Sequence, residues 1–345
     1  MVKRAFADRM DAVRRLLDAA RAVYEDRLRI APLLARTTGL TPEGVELGFA
    51  SLEVDATEDD LRRLIAGAGE TDHVHVILSA NVFVAPLRAL ALARAASSRV
   101  TLRPSMRDPV LARALVEAAR DEAIAIVAER DFPVASGEIH VYGRDETIAD
   151  VRVRARPGVL VRGHGAGMGV AIVTEAADLA ATAELLAADV LPFDQRGCLS
   201  PRVAIAEGNA DRARSFAQML DECLRDRGRS VPRGELVDDE RAEARRWLET
   251  MAFAGRVWRG DHHAVALGAA GAPPLVPPAG RHVYVTPERE LSASVLHRMG
   301  IARFVVAAGA DDPARAREAV PDHVRVLRLG RMQRPALDGP IDRRS

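Results

Sequence analysis

Short runs of β-branched and aliphatic residues alternate with longer stretches rich in alanine and leucine, and this alternation constrains the fold more than any other feature of the chain. An apolar run at residues 74–78 precedes a helical pattern at 86–96, and a run at 99–103 precedes another at 109–119. This rhythm predicts parallel sheets with helices on both faces. Further strands are predicted at 123–128, 138–142, 170–173, 202–206, 281–286, 303–307 and 324–327, and further helices at 3–37, 176–191, 209–226 and 237–253.

Two helix starts in the first quarter of the chain carry capping signals. Thr41 precedes Pro42, and proline suits the first helical position because its missing N–H would have no partner there. Thr57 stands three residues before Asp60, the spacing of a reciprocal cap. We therefore expect one helix to begin just after Thr41 and another just after Thr57.

Length and composition narrow the class of protein. At about 100–200 residues per domain, a chain of this length suggests two domains. Basic and acidic residues balance at 49 each, so nothing indicates nucleic acid as the main partner. No stretch reaches the 18 or so apolar residues that a membrane span needs, and the mixed charges of the first 17 residues do not resemble a signal peptide. The two cysteines are too few for a disulfide framework, which favours a reducing, cytoplasmic location.

Cys198 lies in the most informative segment, residues 193–202. A predicted helix ends near residue 191 and a predicted strand begins near 202, so Cys198 falls in a connecting loop, where catalytic groups concentrate. Local N–H groups or a cation lower a thiol's pKa, and Arg196 is two residues away. Taken alone, a single cysteine is more often a small buried hydrophobe. Cys223 fits that description inside a predicted helix, and we assign it no role.

The segment around Cys198 resembles the nucleophile loop of the aldehyde dehydrogenase superfamily, and more closely that of the LuxC-type bacterial fatty-acyl-CoA reductases. Four further segments resemble conserved motifs of the same family. Each motif alone is only moderately specific for the family, but all five segments occur in the order in which the family has them. These blocks are residues 78–82, residues 100–105 with 107–109, residues 142–147, and residues 329–333 with Pro335 and 338–339.

The resemblance implies an α/β, aldehyde-dehydrogenase-like fold of two α/β lobes with mostly parallel sheets and the active site in the cleft between them. We expect residues 1–160 to form a Rossmann-like cofactor-binding domain and residues 161–325 to form the catalytic domain that carries the nucleophilic cysteine. By the same resemblance, residues 326–345 return to the first domain or contribute to a dimer contact.

The resemblance also assigns the catalytic roles. Cys198 is expected to attack an acyl thioester and to carry the acyl group as an enzyme thioester. The side-chain amide of Asn81 and the backbone N–H of Cys198 are expected to stabilise the oxyanion. Without the family, Asn81 would be interpreted as a turn residue at the end of a strand.

The cofactor implied by the resemblance is NADPH or NADH, although the chain lacks a G-x-G-x-x-G fingerprint. Arg103 stands where the family usually has lysine, and its forked guanidinium suits a phosphate. Without the resemblance, Arg103 would be interpreted as a solvated charge at the end of a strand. Gly143, a second candidate for cofactor binding, would be interpreted as part of an ordinary strand-to-helix turn. The expected cofactor-binding residues are Arg103, Pro104, Ser105, Gly143, Arg144 and Thr147.

His164 marks a departure from the oxidative aldehyde dehydrogenases, which carry at this position a glutamate that activates water. A reductase has less need of such a base, because its acyl-enzyme meets hydride instead of water. His164 is expected to donate a proton to the aldehyde oxygen or to assist the Cys198 thiolate, since the usual pKa of histidine lies near working pH. The alternative is a structural turn histidine. No metal site is expected, since no cysteine or carboxylate cluster accompanies the histidines.

The function expected from these features is reduction of an acyl-CoA, or another acyl thioester, to the aldehyde by a homo-oligomer, expected to be a dimer. Two alternatives remain open at this point. An oxidative or CoA-acylating aldehyde dehydrogenase would share Cys198 and Asn81 while running the opposite reaction. A non-catalytic member of the superfamily would bind CoA or nucleotide without using Cys198.

Overall fold

The computed structural model describes residues 4–52, 56–128 and 134–344, and in these ranges the predicted alternation of strands and helices is confirmed. The helices are α1 Phe6–Glu25, α2 Arg27–Thr38, α3 Pro42–Phe49, α4 Glu58–Ala68, α5 Ala85–Ala96, α6 Val110–Ala119, α7 Asp145–Arg154, α8 Leu179–Val190, α9 Ala210–Ser230, α10 Asp238–Ala254, α11 Val295–Arg298 and α12 Pro313–Ala319. The strands are β1 Val74–Ile77, β2 Val100–Arg103, β3 Ile124–Ile126, β4 Glu138–Tyr142, β5 Leu160–His164, β6 Met168–Val173, β7 Pro201–Glu207, β8 Arg256–Arg259, β9 Ala264–Leu267, β10 His282–Glu288, β11 Val305–Ala310 and β12 Arg325–Arg328.

The first predicted helix is two helices. The chain bends at Asp26, whose carboxylate accepts a hydrogen bond from Arg29. The bend lets α2 pack against α3 and α6, whereas α1 packs against α4, α5 and α6. A single straight helix over 3–37 was therefore wrong, because helical periodicity does not record where a helix changes its packing partner. Lys3, the first residue of that prediction, lies outside the described residues.

Both capping predictions are confirmed. The Thr41 side chain accepts a hydrogen bond from the Gly44 N–H at the start of α3. Thr57 and Asp60 form the reciprocal pair at the start of α4: the Asp60 N–H donates to Thr57 Oγ1, and the Thr57 N–H donates to Asp60 Oδ2 at 3.0 Å. Each cap of this kind stabilises a helix by about 1 kcal/mol.

The first sheet is parallel throughout, in the order β3-β2-β1-β4-β5. Its strands therefore all end at one edge, where the loops after β1, β2, β4 and β5 emerge together. The strand order changes direction at β1, which pairs with β2 on one side and β4 on the other. Open sheets of this type bind ligands at such a switch point, outside the carboxyl ends of the strands.

The second sheet has the order β12-β11-β6-β7-β10-β9-β8, and within it only the β8–β9 pair is antiparallel. Its strands β6, β7 and β10 are buried almost completely, and apolar cores lie on its two faces. Three strands of the two sheets, β5, β8 and β9, were not predicted from the sequence. β5 and β8 are sheet-edge strands whose partly exposed residues mix charge with apolar side chains, so they lack the apolar run of a central strand.

The two sheets follow each other in the chain across a very short link. β5 ends at His164 and β6 begins at Met168. The carboxyl edge of the first sheet is thereby brought to the amino edge of the second. At this junction the rings of Phe83 and Phe193 meet edge to face, with centroids 5.5 Å apart.

The final described segment runs between the two sheets. β12 pairs with β11 in the second sheet, but Leu337 is buried in the core beneath the N-terminal helices. Arg88 on α5 holds this return by donating to the carbonyls of Pro335 and Gly339, at 2.6 and 2.9 Å. The division of the chain at residues 160 and 325, and the assignment of 326–345, stay predictions. Within the described ranges, no helix combines the length and apolarity that crossing a bilayer requires.

Candidate active site

Cys198 lies in the loop that leads into β7, at the amino edge of the second sheet, as the sequence predicted. The loop closes with a turn in which the Ser200 N–H donates to the Gly197 carbonyl at 3.0 Å. The cysteine is half-buried, and it borders the core that packs around α8, α9 and β7. The residue as a whole is thus partly exposed, at the border of that core.

The chain just before Cys198 adopts a strained conformation. Phe193, Asp194 and Gln195 all have positive φ, at 57°, 50° and 65°, a region that non-glycine residues rarely enter. Such strain costs about 1–3 kcal/mol per residue and persists only where the surroundings enforce it. The sequence contains no glycine in these three positions and offered no signal for this geometry.

Buried polar contacts enforce the strained turn. The Asp194 carboxylate pairs with the Arg281 guanidinium at 2.8 Å, and only 1% of either side chain is exposed. The Gly234 N–H donates to the same carboxylate at 3.0 Å. The Gln195 amide donates to the His282 carbonyl at 2.7 Å and accepts from the His282 N–H at 2.8 Å. The loop that carries Cys198 is therefore held from β10 and from the segment before α10.

Replacing Asp194 with alanine should destabilise the protein strongly, because the Arg281 charge would be left buried and unpaired. We expect a loss of about 3–5 kcal/mol in the free energy of unfolding, measured by urea denaturation. The matched control is Asp178→Ala, which removes an exposed N-cap of α8 and should cost only about 1 kcal/mol. Equal losses in the two variants would contradict the role assigned to Asp194.

Asn81 lies in the loop that follows β1, and its side chain is exposed. The adjacent residue, Val82, packs against Gly197 in the loop that carries Cys198. The approach is so close that a Cβ added to Gly197 would lie 3.2 Å from Val82 Cγ2. The neighbours of Asn81 and Cys198 are thus in direct contact across the junction between the sheets. The structure thus brings together the loops that carry these two residues, which the sequence separates by more than a hundred positions.

The surroundings of the thiol keep it protonated. Burial raises the pKa of Cys198 to about 11, and the negative charge of Asp342 adds to this increase. The charges of Arg344 and Arg88 act in the opposite direction. Arg196, the cation that the sequence placed near the thiol, instead makes a two-bond ion pair with Glu240, at 3.0 Å each.

This pKa makes the labelling of Cys198 strongly dependent on pH. The thiolate is the reactive form, so alkylation by iodoacetamide should accelerate about tenfold per pH unit between pH 7 and pH 10. Cys223 should react still more slowly through its thiolate, since burial raises its pKa to about 12. Peptide mass spectrometry separates the two sites. A rate for Cys198 that levels off below pH 9 would show that the thiol is already anionic.

Residues 329–333, the C-terminal block of the family resemblance, form hydrogen bonds with α8 and with the loop that carries Cys198. The Gln333 amide donates to the Asp189 carbonyl at 3.1 Å and to Ser200 Oγ at 3.4 Å. The Asp189 carboxylate accepts from the N–H groups of Gly330 and Met332, at 2.7 and 2.9 Å. Burial raises the pKa of Asp189 to about 7 despite these bonds. This block thus ties α8 to the turn that follows Cys198.

His164 lies at the end of β5, beside the same junction. Its ring stacks on Tyr142, with centroids 4.4 Å apart and planes 15° from parallel. Burial lowers its pKa to about 4, and the charge of His140 contributes, so the imidazole is neutral at pH 7. The expected pKa near working pH is therefore wrong. Asp342 lies within electrostatic range of both His164 and Cys198.

A row of polar side chains on β4 and β5 leads to this position. The register pairs His140 with Arg162 and Tyr142 with His164, so these side chains share one face. Glu138 accepts from His140 at 2.9 Å and from Arg162 at 3.0 Å. The alternation of polar and apolar residues in β4 was the sequence signal for this row, and the sequence analysis did not use it.

The expected cofactor-binding residues lie at the carboxyl edge of the first sheet, on two loops that flank the loop after β1. Arg103 ends β2, and Pro104 and Ser105 follow it. The Ser105 hydroxyl accepts from the Arg107 N–H at 3.2 Å. Arg107 in turn donates to the Ala80 carbonyl at 3.2 Å, which ties the loop after β2 to the Asn81 loop.

The second of the two loops follows β4 and leads into α7. It contains Gly143 and Arg144, and Thr147 lies in the first turn of α7. A Cβ on Gly143 would meet Thr147 at an ordinary 3.6 Å, so packing alone does not require glycine here. The first turn of α7 carries Asp145 and Glu146, whose charges oppose a phosphate at this helix start. The end of β2, with Arg103, is therefore better suited to bind a phosphate than the start of α7. No group of three or more potential metal ligands occurs among the described residues.

Comparison with known proteins gives a consistent result. The family model for acyl-CoA reductase (LuxC) matches residues 53–332. A search among curated proteins found no match.

Among solved structures, a Mycobacterium tuberculosis aldehyde dehydrogenase complexed with NAD+ is similar with a TM-score of 0.68 at 15% identity, over 96% of this chain and 79% of that one. An NAD-dependent benzaldehyde dehydrogenase from Corynebacterium glutamicum gives 0.67 at 16%, over 93% and 81%. An NADP-dependent glyceraldehyde-3-phosphate dehydrogenase from Bacillus halodurans gives 0.62 at 16%, over 95% and 80%. The aldehyde-dehydrogenase-like fold is thereby confirmed.

Proposed function

The chain belongs to the acyl-CoA reductase (LuxC) family, and from this premise we propose that Cys198 carries the acyl group as a thioester while NADPH or NADH provides the reducing equivalents. The enzyme reduces an acyl-CoA to the aldehyde. The observation that carries the proposed mechanism is the contact between the Asn81 loop and the Cys198 loop, made by Val82 and Gly197.

The residues at the carboxyl edge of the first sheet fit a nicotinamide dinucleotide. The carboxyl ends of β1 and β4 form the switch point of the sheet, and such cofactors bind at this point in doubly wound sheets. Arg103 at the end of β2 offers a permanent forked cation for a phosphate. The residues that would hold the cofactor are Arg103, Pro104, Ser105, Gly143, Arg144 and Thr147. When bound, the cofactor supplies hydride to the carbonyl carbon of the thioester.

In the first half-reaction, the Cys198 sulfur bonds to the acyl carbonyl carbon and the bond from that carbon to the CoA sulfur breaks. The proton lost by Cys198 balances the charge that CoA carries away. The Asn81 side-chain amide and the Cys198 backbone N–H stabilise the oxyanion formed on the way. One such donor is worth about 100–1000-fold in rate.

In the second half-reaction, cleavage of the bond between the Cys198 sulfur and the reduced carbon releases the aldehyde, and a proton from solvent restores the Cys198 thiol. His164 stands at the position where the oxidative aldehyde dehydrogenases carry their water-activating glutamate. The acyl-enzyme therefore lacks that carboxylate base and meets hydride instead of water.

We propose a cytoplasmic homodimer as the state in which the enzyme works. Both cysteines are free, which suits a reducing compartment. β5 is an edge strand of the first sheet, and Leu160 on it is 50% exposed. Val153 of α7 is 85% exposed. A second copy would cover this edge. Analytical ultracentrifugation should give twice the chain mass, and a monomer at micromolar concentration would exclude the dimer.

The reaction is tested by stoichiometry. Acyl-CoA and reduced cofactor should yield one free CoA thiol and one aldehyde for each cofactor oxidised. If the protein instead converts aldehyde to acid or to acyl-CoA and shows no reductive turnover, it works in the oxidative or CoA-acylating direction. Binding of acyl-CoA without turnover in either direction would indicate a non-catalytic member of the family.

A further inference from the structure

The polar row on β4 and β5 ends at a hydroxyl group that has no role in the mechanism above. The Tyr142 hydroxyl is buried, and it has no hydrogen-bond partner among the described residues. Leaving such a group unsatisfied costs about 1–3 kcal/mol. A buried polar group of this kind requires an explanation, and a ligand that accepts its hydrogen bond would provide one.

The position of Tyr142 indicates which ligand. Its hydroxyl lies within electrostatic range of Cys198 and of Arg88, because the charges of both shift its pKa. Its ring is fixed by stacking on His164, with centroids 4.4 Å apart. The strand ends at Tyr142, so the residue stands at the carboxyl edge of the first sheet, where that edge meets the nucleophile loop.

We propose that Tyr142 is a further catalytic residue, whose O–H donates a hydrogen bond to the thioester carbonyl oxygen as negative charge develops on it. The hydroxyl then joins the Asn81 amide and the Cys198 N–H as a third oxyanion donor. No proton is transferred in this step: the O–H bond stays intact, and the hydrogen bond strengthens in the transition state and weakens when the carbonyl re-forms. The inference rests on the proposed acyl transfer to Cys198.

Two properties of the site suit Tyr142 to donating. Burial raises the pKa of Tyr142 above its ordinary value, so the hydroxyl keeps its proton throughout the working pH range. Its polar surroundings also supply no acceptor that competes with the substrate, since the hydroxyl has no partner among the described residues. His164 acts as a positioning residue here, because its ring sets the plane of the tyrosine.

The test is Tyr142→Phe, which removes one oxygen and keeps the stacked ring. Acyl transfer to Cys198 is measured by rapid quench and intact mass spectrometry, with acyl-CoA and no reduced cofactor. We expect the variant to be acylated about 10–1000-fold more slowly than the unmodified protein. Tyr24→Phe is the matched control, since Tyr24 packs beside Phe49 and Arg27, and its rate should be unchanged.

Alkylation by iodoacetamide provides the second measurement, because it attacks the same sulfur without forming an oxyanion. Its rate should be equal in Tyr142→Phe and in the unmodified protein, which would show that the thiol and the fold are intact. Equal acylation rates in the two proteins would overturn the role of Tyr142, and so would a matching fall in alkylation. If the unmodified protein is not acylated at all, the proposed function fails, and this outcome is distinct from the others.

Discussion

Replacing Cys198 with alanine is expected to lower the rate of acyl-CoA reduction by about 10⁴-fold or more, the range seen when a covalent nucleophile is removed. The reason is that the remaining hydrogen-bond donors bind substrate but have no sulfur to form the thioester. Turnover is measured by aldehyde formation with reduced cofactor. Binding of acyl-CoA should persist, since the loop is shaped by Asp194 and Gln195 and not by the thiol.

Cys223→Ala is the matched control for this experiment. Cys223 lies on α9 and is partly buried at the core around β7. The variant should keep full activity. Comparable losses in the two variants would indicate a general effect of losing a thiol, and a Cys198→Ala protein that retains activity would rule out covalent catalysis through this residue.

The second large effect is expected from Asn81→Ala, which should reduce kcat by about 100–1000-fold. The amide is assigned to the oxyanion, which exists only in the reaction, so KM should change little. Steady-state kinetics separates the two parameters. Stability should also change little, because the Asn81 side chain is exposed.

The other asparagine of the chain provides the control. Asn209 caps α9 by accepting a hydrogen bond from the Arg212 N–H at 2.9 Å. Asn209→Ala should therefore lose about 1 kcal/mol of stability and keep its activity. If kcat is unchanged in Asn81→Ala, the oxyanion is stabilised by other groups.

Local sequence signals were sufficient for much of the fold. The caps at Thr41 and Thr57 are local contacts over three residues, and the buried strands of both sheets are apolar runs with clear boundaries. The loop position of Cys198 followed from the helix before it and the strand after it. These features depend on neighbours in the sequence, which is why the sequence predicts them.

The rest of the site depends on contacts between distant segments. Arg344 and Arg88 act on the Cys198 thiol from distant parts of the chain, whereas the nearby Arg196 forms an ion pair with Glu240. The pKa of His164 is set by burial, which periodicity does not reveal.

The positive φ angles of Phe193 to Gln195 are likewise imposed from outside the turn, by the Asp194–Arg281 ion pair and by β10. The polar row ending in Tyr142 was visible as alternation in one strand. Its meaning became clear only when β5 supplied His164 as a neighbour.

The most direct test of covalent catalysis by Cys198 is mass spectrometry of the unmodified protein after mixing with an acyl-CoA in the absence of reduced cofactor. We expect a mass increase equal to one acyl group, located on the peptide that contains Cys198 and removed as aldehyde when reduced cofactor is added. A protein that forms aldehyde from acyl-CoA without ever showing this adduct, or that carries the acyl group on Cys223, would contradict covalent catalysis by Cys198.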